Sequence, residues 1–227
     1  MAGVATVSDD RDPTTGGEEM SAPTVARPQV SEFEDRRSIP VPPEAGFTAE
    51  DLDRIPDLPP HTELIDGSLV LVSPHKTFHM FVLKLLERQM DDQIPAGLLT
   101  YRECTVVLGE RQRPEPDLML VDAEALTSMD DTWVAPDAVR LVVEVVSPQS
   151  EVRDHERKPQ LYAGAGIPHF WLVEKEDAEG AVVYAYELDP VNGGYTMTGV
   201  HRKRMKADAP CELDIDLTRL PRTGHSG

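Results

Sequence analysis

Arg140-Leu141-Val142-Val143-Glu144-Val145-Val146-Ser147 is the stretch that settles the architecture. On an extended chain successive side chains point to opposite faces, so Leu141, Val143 and Val145 share one face while Val142, Glu144 and Val146 share the other. Both faces are apolar, which marks a central strand covered on two sides. Glu144 breaks the pattern. An unpaired carboxylate buried among valines costs several kcal/mol even after its surroundings relax. A proton, an arginine or lysine, or a metal ion must neutralise it. The structural alternatives are a buried ion pair or a place at the strand's solvated end.

Working outward, Asp117 to Asp122 (DLMLVD) reads as a second strand, entered through Pro116, which favours extended backbone. Thr100 to Glu110 (TYRECTVVLGE) reads as another, rich in Thr, Tyr and Val. Downstream, Pro159 to Ala165 reads as a short helix capped by Gly166, and three strands follow: HFWLVE, AVVYAYEL and GYTMTGV. A helix between two strands implies a crossover, hence a mixed sheet.

Upstream, the N-cap signal at Thr48-Ala49-Glu50-Asp51 predicts a short helix that Pro56 stops. Asp66-Gly67, between two apolar runs, predicts a hairpin. Phe78, Val82, Leu85, Leu86 and Met90 recur at three and four, which predicts an amphipathic helix over 75–90. The fold class is therefore α/β, a mixed β-sheet flanked by helices with an N-terminal hairpin, spanning residues 46–215. Residues 1–45 mix Gly, Pro, Ser, Thr and acids with no apolar period, and read as a disordered N-terminal arm. Residues 216–227 read as a flexible tail.

Composition limits the function. The chain has 227 residues with 41 Asp+Glu against 22 Lys+Arg, a formal charge of −19. Bulk electrostatics cannot hold DNA to so acidic a chain, so any nucleic-acid chemistry must rest on a local basic patch or a bound metal. The short run His201 to Lys206 (HRKRMK) is the basic cluster on offer, though a solvated strand end explains it as well. No apolar run is long enough for a membrane span, and the polar, acidic start lacks the apolar core of a secretory signal. Cys104 and Cys211, 107 positions apart, fit neither a metal motif nor a disulfide framework, so reduced thiols and a cytoplasmic location are expected.

The candidate chemistry lies in three residues: Asp117 at one strand start, Glu144 inside the next strand, and Lys158 on the element that follows. Hard divalent ions take one or two carboxylates plus substrate phosphate. Asp117 and Glu144 supply such oxygens, with the Val145 carbonyl as a third. Mg²⁺ (or Mn²⁺) held there would generate hydroxide and screen a phosphate, while Lys158 would orient the attacking water or stabilise the transition state. This is the pattern of metal-assisted phosphodiester hydrolysis. His75 and His79 are spaced i, i+4 as in many zinc sites, but no third ligand is evident. They read as surface or helix-capping residues with at most a minor role near substrate. Phe170, Trp171 and Tyr162 read as core packing.

Pro116-Asp117, the VVEVVSP segment around Glu144 and RDHERKPQLYAGAGIPHFWLVE together resemble the Uma-two family of restriction endonucleases, within the PD-(D/E)XK nuclease superfamily. TELIDGSLVLVSPHKTFH is similar to that family's opening segment. The resemblance runs from about Thr48 to Glu187. It implies a restriction-endonuclease-like fold with Asp117 and Glu144 as the metal-binding acids. Where the superfamily usually has its lysine, two residues after the second acid, this chain has Val146. The resemblance implies instead a D-x3-K-x3-Y arrangement on the following helix, which Asp154, Lys158 and Tyr162 fit, with Tyr162 a candidate substrate contact. It also implies a water-mediated metal role for Glu63. Because Pro159 follows directly, Lys158 is expected at the helix N-cap. The expected substrate is DNA and a homodimer is plausible, since two sites would address two strands. A catalytically silent nuclease-like fold serving as a homodimeric interaction module is the competing expectation.

Overall fold

A computed structural model describes residues 41–72, 74–176 and 180–221. Most of the expected N-terminal arm (1–40) and the last six residues of the expected tail lie outside the described residues.

The elements run α1 (Asp51–Arg54), β1 (Thr62–Ile65), β2 (Ser68–Leu71), α2 (Thr77–Asp91), β3 (Leu98–Arg102), β4 (Thr105–Val106), β5 (Leu118–Asp122), β6 (Trp133–Val134) and β7 (Val139–Val145). After these come α3 (Lys158–Gly164), β8 (His169–Glu176), β9 (Gly180–Asp189), β10 (Gly194–His201), β11 (Arg204–Ala207) and β12 (Leu213–Asp216). The main sheet has the order β10-β9-β8-β7-β5-β3. Only β7 and β8 run parallel within it, and α3 lies in the crossover that joins them. The mixed α/β architecture expected from sequence is therefore the one found.

The alternation of β7 decides what lies on each side of the sheet. Leu141, Val143 and Val145 pack with Leu118 and Leu120 of β5 and with Val82, Leu83 and Leu86 of α2. Val142 packs with Met119, Phe170 and Leu172, beneath Tyr162 of α3 and Ile167. Each of these fully buried aliphatic side chains contributes about 1.5–3 kcal/mol through removal from water. Phe170, Trp171 and Tyr162 are all buried, as core residues should be.

The N-terminal hairpin forms at Asp66-Gly67, where both residues have positive φ (53° and 75°). That is the type I′ geometry whose twist matches the strands it joins. Asp66 is then pinned from outside: Arg157, just before α3, pairs with its carboxylate, and Gln112 bonds both its amide and its side chain. Leu64 and Arg113 exchange backbone hydrogen bonds, and the buried Arg113 guanidinium forks onto Asp53 at 2.7 and 3.0 Å. These ties fix β1, and hence Glu63, against the sheet.

Several local expectations change. The run 100–110 is not one strand: Glu103 adopts φ 52°, breaking it between β3 and β4. The basic run at 201–206 is largely spoken for, since Arg202 pairs with Glu176 and Arg204 with Asp214. Leu217 and Leu220, which sequence assigned to the tail, are buried in the core against α2 and the β11–β12 hairpin. Gln89 of α2 straps that hairpin by bonding both the amide and the carbonyl of Asp216.

The helix holding Lys158 departs furthest from expectation. Helical backbone begins at Glu151, and a π-helical stretch from Arg153 to Arg157 leads directly into α3. Lys158 has φ −61° and ψ −46°, and its amide bonds the Arg153 carbonyl five residues back. Lys158 is thus inside a helix rather than at its N-cap. Pro159 has no amide hydrogen to lose, and the widened turn carries the chain past its ring. Among the described residues, no helix is long and apolar enough to cross a membrane.

Candidate active site

At the end of the sheet where β5 begins and β7 finishes lies a narrow cleft of about 120 Å³. Leu118 pairs with Val143 in antiparallel register, so Asp117 falls opposite Glu144. Alternation puts Asp117 on the Met119 face and Glu144 on the Val142 face, which are the same side of the sheet. Residues directly opposite in such a pair have Cβ atoms about 4.5–5.5 Å apart. The two acids face one cleft.

Three other elements close it. From the hairpin comes Glu63, 1% exposed. From the π-helical stretch and α3 come Asp154, Lys158 and Tyr162, spaced four apart so that one helix face presents all three. From α2 comes His79, with His75 just before the helix and its ring stacked on His79 at 3.8 Å between centroids.

Lys158 is the hub of the acids. Its ammonium lies 3.0 Å from both Glu144 oxygens and 2.8 Å from Glu63 Oε1. Asp154 Oδ1 is 3.7 Å away, beyond hydrogen-bond reach, and is buried without a partner. The Tyr162 hydroxyl donates to Glu144 Oε1 at 2.5 Å. Asp117 is held separately: the Val145 amide donates to its Oδ2 at 2.7 Å, and His79 Nε2 sits 3.1 Å from its Oδ1 without hydrogen-bond alignment. The contact Asp117 makes with Val145 is therefore to the N–H, not the carbonyl.

Electrostatics follow from that packing. Burial drives the Glu144 carboxyl well above the usual range, against the pull of Lys158 and with help from Asp117, Asp154 and Glu63. Burial likewise raises Asp154 to about 6, although Lys158 opposes the shift. For Lys158, burial works against the charge, yet Glu144, Glu63, Asp154 and Asp117 outweigh it and hold the ammonium firmly protonated. Burial also opposes ionisation of Asp117, but His79, Lys158 and the Val145 amide bring its pKa below normal. Four buried or nearly buried carboxylates thus share one ammonium. The deficit of positive charge is what a proton or a metal cation relieves.

Carboxylate oxygens are the donors a hard divalent ion takes. Asp117, Glu144 and Glu63 supply hard oxygens in one cleft. Among the described residues, the three side chains whose ligand atoms all lie within 4.8 Å of one another are His75, His79 and Asp117.

Measured against the sequence reading, the structure brings Asp117, Glu144, Val145, Glu63 and Lys158 into one place. The countercharge that touches Glu144 is Lys158 itself, so the buried ion pair and the functional constellation are the same object. Tyr162 is fully buried, which leaves it no surface for substrate; it bonds Glu144 instead. His79 is neither surface nor cap, being 5% exposed with unpartnered ring nitrogens, and the third candidate ligand that sequence lacked is Asp117. Sequence reading missed His61 and Glu115, which meet at 2.5 Å on the rim of the cleft. The one trace of them is Glu115 set between Pro114 and Pro116, in a segment held extended.

A mixed sheet flanked by helices, with two strand acids and a helix lysine together at one end, is a restriction-endonuclease-like fold. The Uma2 family, described as "Putative restriction endonuclease", matches residues 49–218, and the chain belongs to it. Among solved structures, one described as "a putative nuclease belonging to DUF820" from Anabaena variabilis is similar in fold. It has a TM-score of 0.55 at 13% identity over 72% of this chain and 89% of that one. NucC of P. aeruginosa in its cAAA-bound form gives 0.31 at 12% identity over 51% and 69%, and nothing is drawn from it. No curated protein matches the chain.

Proposed function

We propose that the chain is a Mg²⁺- or Mn²⁺-dependent endonuclease that hydrolyses phosphodiester bonds in DNA. One observation carries the reading: Asp117 and Glu144 converge on one face with Glu63 beside them, and the ammonium of Lys158 contacts both glutamates. In this reading Asp117, Glu144 and Glu63, with the Val145 carbonyl, hold the ion. Bound there, it supplies Lewis acidity toward the phosphate and lowers the pKa of water. Lys158 stays protonated and places positive charge where the phosphate's negative charge grows. Tyr162 and the Val145 amide fix the two acids in place. Such an enzyme would act in the cytoplasm, and pairing of two copies would set one cleft against each strand.

Plasmid cleavage tests it, with Mg²⁺ or Mn²⁺ against chelator and with Asp117→Asn and Glu144→Gln. Metal-dependent cutting lost in both variants is the expected result. Cutting undiminished in both would end the proposal.

A second reading rests on a specific feature. Both Glu144 oxygens already have donors, and Arg202 and Arg204 are paired with acids, so among the described residues the 201–206 run offers DNA little free positive charge. That favours a catalytically silent homodimeric interaction module. Calorimetric Mg²⁺ titration separates the two: heat that disappears in Glu144→Gln belongs to the nuclease alone.

A further inference from the structure

We propose a second metal site, built from His75, His79 and Asp117, that takes a divalent transition ion of the zinc, cobalt or iron(II) class. Two independent observations lead there. The three ligand atoms lie within 4.8 Å of one another. His79 is 5% exposed and neither of its ring nitrogens has a hydrogen-bond partner, an expensive state for a buried imidazole unless a ligand completes it.

The elements explain how the set arises. His79 stands in the first turn of α2, fixed by helix packing. Asp117 is held by the Val145 amide through Oδ2, so the oxygen left over is Oδ1, the one 3.1 Å from His79 Nε2. His75 precedes the helix and is half-buried, with Lys76 in extended conformation between it and α2. Its ring plane lies 20° from that of His79, so the two imidazoles are stacked face to face. Convergence on one ion requires His75 to turn; it lies outside α2, whereas His79 is fixed within the helix and Asp117 is held by the Val145 amide.

Ligand chemistry chooses the metal. Two imidazoles and a carboxylate suit zinc, iron(II) or cobalt(II), whereas Mg²⁺ prefers oxygen and retains its waters. Three protein ligands also leave a coordination position for water, the form of a catalytic rather than structural centre. Asp117 belongs to both donor groups, so the transition ion would sit beside the oxygen site, with Asp117 between them. The site stands on its own geometry and rests on the proposed nuclease reading only for what the ion would do there.

Cobalt(II) is the probe, because its visible absorption and its paramagnetic shifts of histidine ring protons report imidazole ligation without any activity assay. Titrated into the metal-free full chain, about one equivalent should bind with both signals. Glu144→Gln should leave Co²⁺ affinity within about threefold, while His79→Asn and His75→Asn should each weaken it at least about tenfold. Because His79 is buried, its variant is first checked by circular dichroism; the half-buried His75 and the ring-proton shifts decide the matter if it fails to fold. Co²⁺ affinity unchanged in His75→Asn, shifts arising from other histidines, or binding that disappears only in Glu144→Gln would each overturn the site. Absence of metal-dependent cleavage by the parent chain, with this Co²⁺ pattern intact, would sink the nuclease reading and leave the metal site standing.

Discussion

Lys158 gives the sharpest forecast for stability. Its ammonium touches Glu144 and Glu63 and lies near Asp154, all almost fully buried. Lys158→Met keeps much of the side chain's bulk and removes the charge. Breaking a buried pair by deleting one partner costs about 3–5 kcal/mol, because the remaining charges are left without compensation. A chain of this size loses about 2–4 °C of Tm per kcal/mol, so a drop of roughly 6–20 °C is expected near pH 7.5 in chelator. The pH dependence has a definite sign. Without the ammonium, the Glu144 and Asp154 carboxyls rise further above their unfolded values of 4.5 and 3.8. A raised acid favours the folded form below its unfolded pKa, and that advantage is lost as pH climbs through the folded value. The deficit therefore narrows on acidification through about 6, where Asp154 already titrates in the parent. Lys158 remains charged throughout this window in the parent, so its own titration adds no slope. Thermal melts at several pH values, for the single variant and for Lys158→Met with Glu144→Gln, provide the assay. The double variant should recover part of the loss. A single variant that melts within about 2 °C of the parent near pH 7.5, or a deficit that fails to shrink toward pH 5, refutes the charge-hub account.

Three further outcomes follow from single contacts. Tyr162→Phe removes the hydroxyl on Glu144 and keeps the ring, and should lower the urea midpoint by an amount equal to about 1–3 kcal/mol, since a buried carboxyl oxygen loses a donor. Gly67→Ala sets a Cβ 2.5 Å from the Arg111 guanidinium at φ +75°, so denaturant unfolding should show a loss of at least about 1 kcal/mol; an unchanged midpoint would count against the tight turn. Leu220→Ala should cost about 2–5 kcal/mol in the same measurement, whereas a loose tail would give nothing.

The sequence by itself determined that the chain has a central strand, and which side chains face which way along it. That follows from period-two patterning, a property of local backbone geometry that Val142, Val143 and Val145 carry without reference to any other part of the chain. The Asp66-Gly67 turn and the α2 periodicity are local in the same sense, and both elements form where expected. Glu144 was legible as a candidate because charge among apolar neighbours is conspicuous, whereas Asp117 at a strand start and Lys158 among other charges stood out only as parts of the constellation. Their convergence was not legible, since it depends on the β5–β7 register and on a hairpin pinned by Arg157 and Arg113. Only the fold decided that Lys158 lies within a helix, because Pro159 argues locally for a helix start while the π-helical turns before it are sustained by packing. Only the fold, too, brought the histidines a third candidate ligand: Asp117 is 38 residues from His79 in sequence and 3.1 Å from it in space. Short-range sterics and burial patterns are written residue by residue; which distant charges must share one low-dielectric space is settled when the sheet closes.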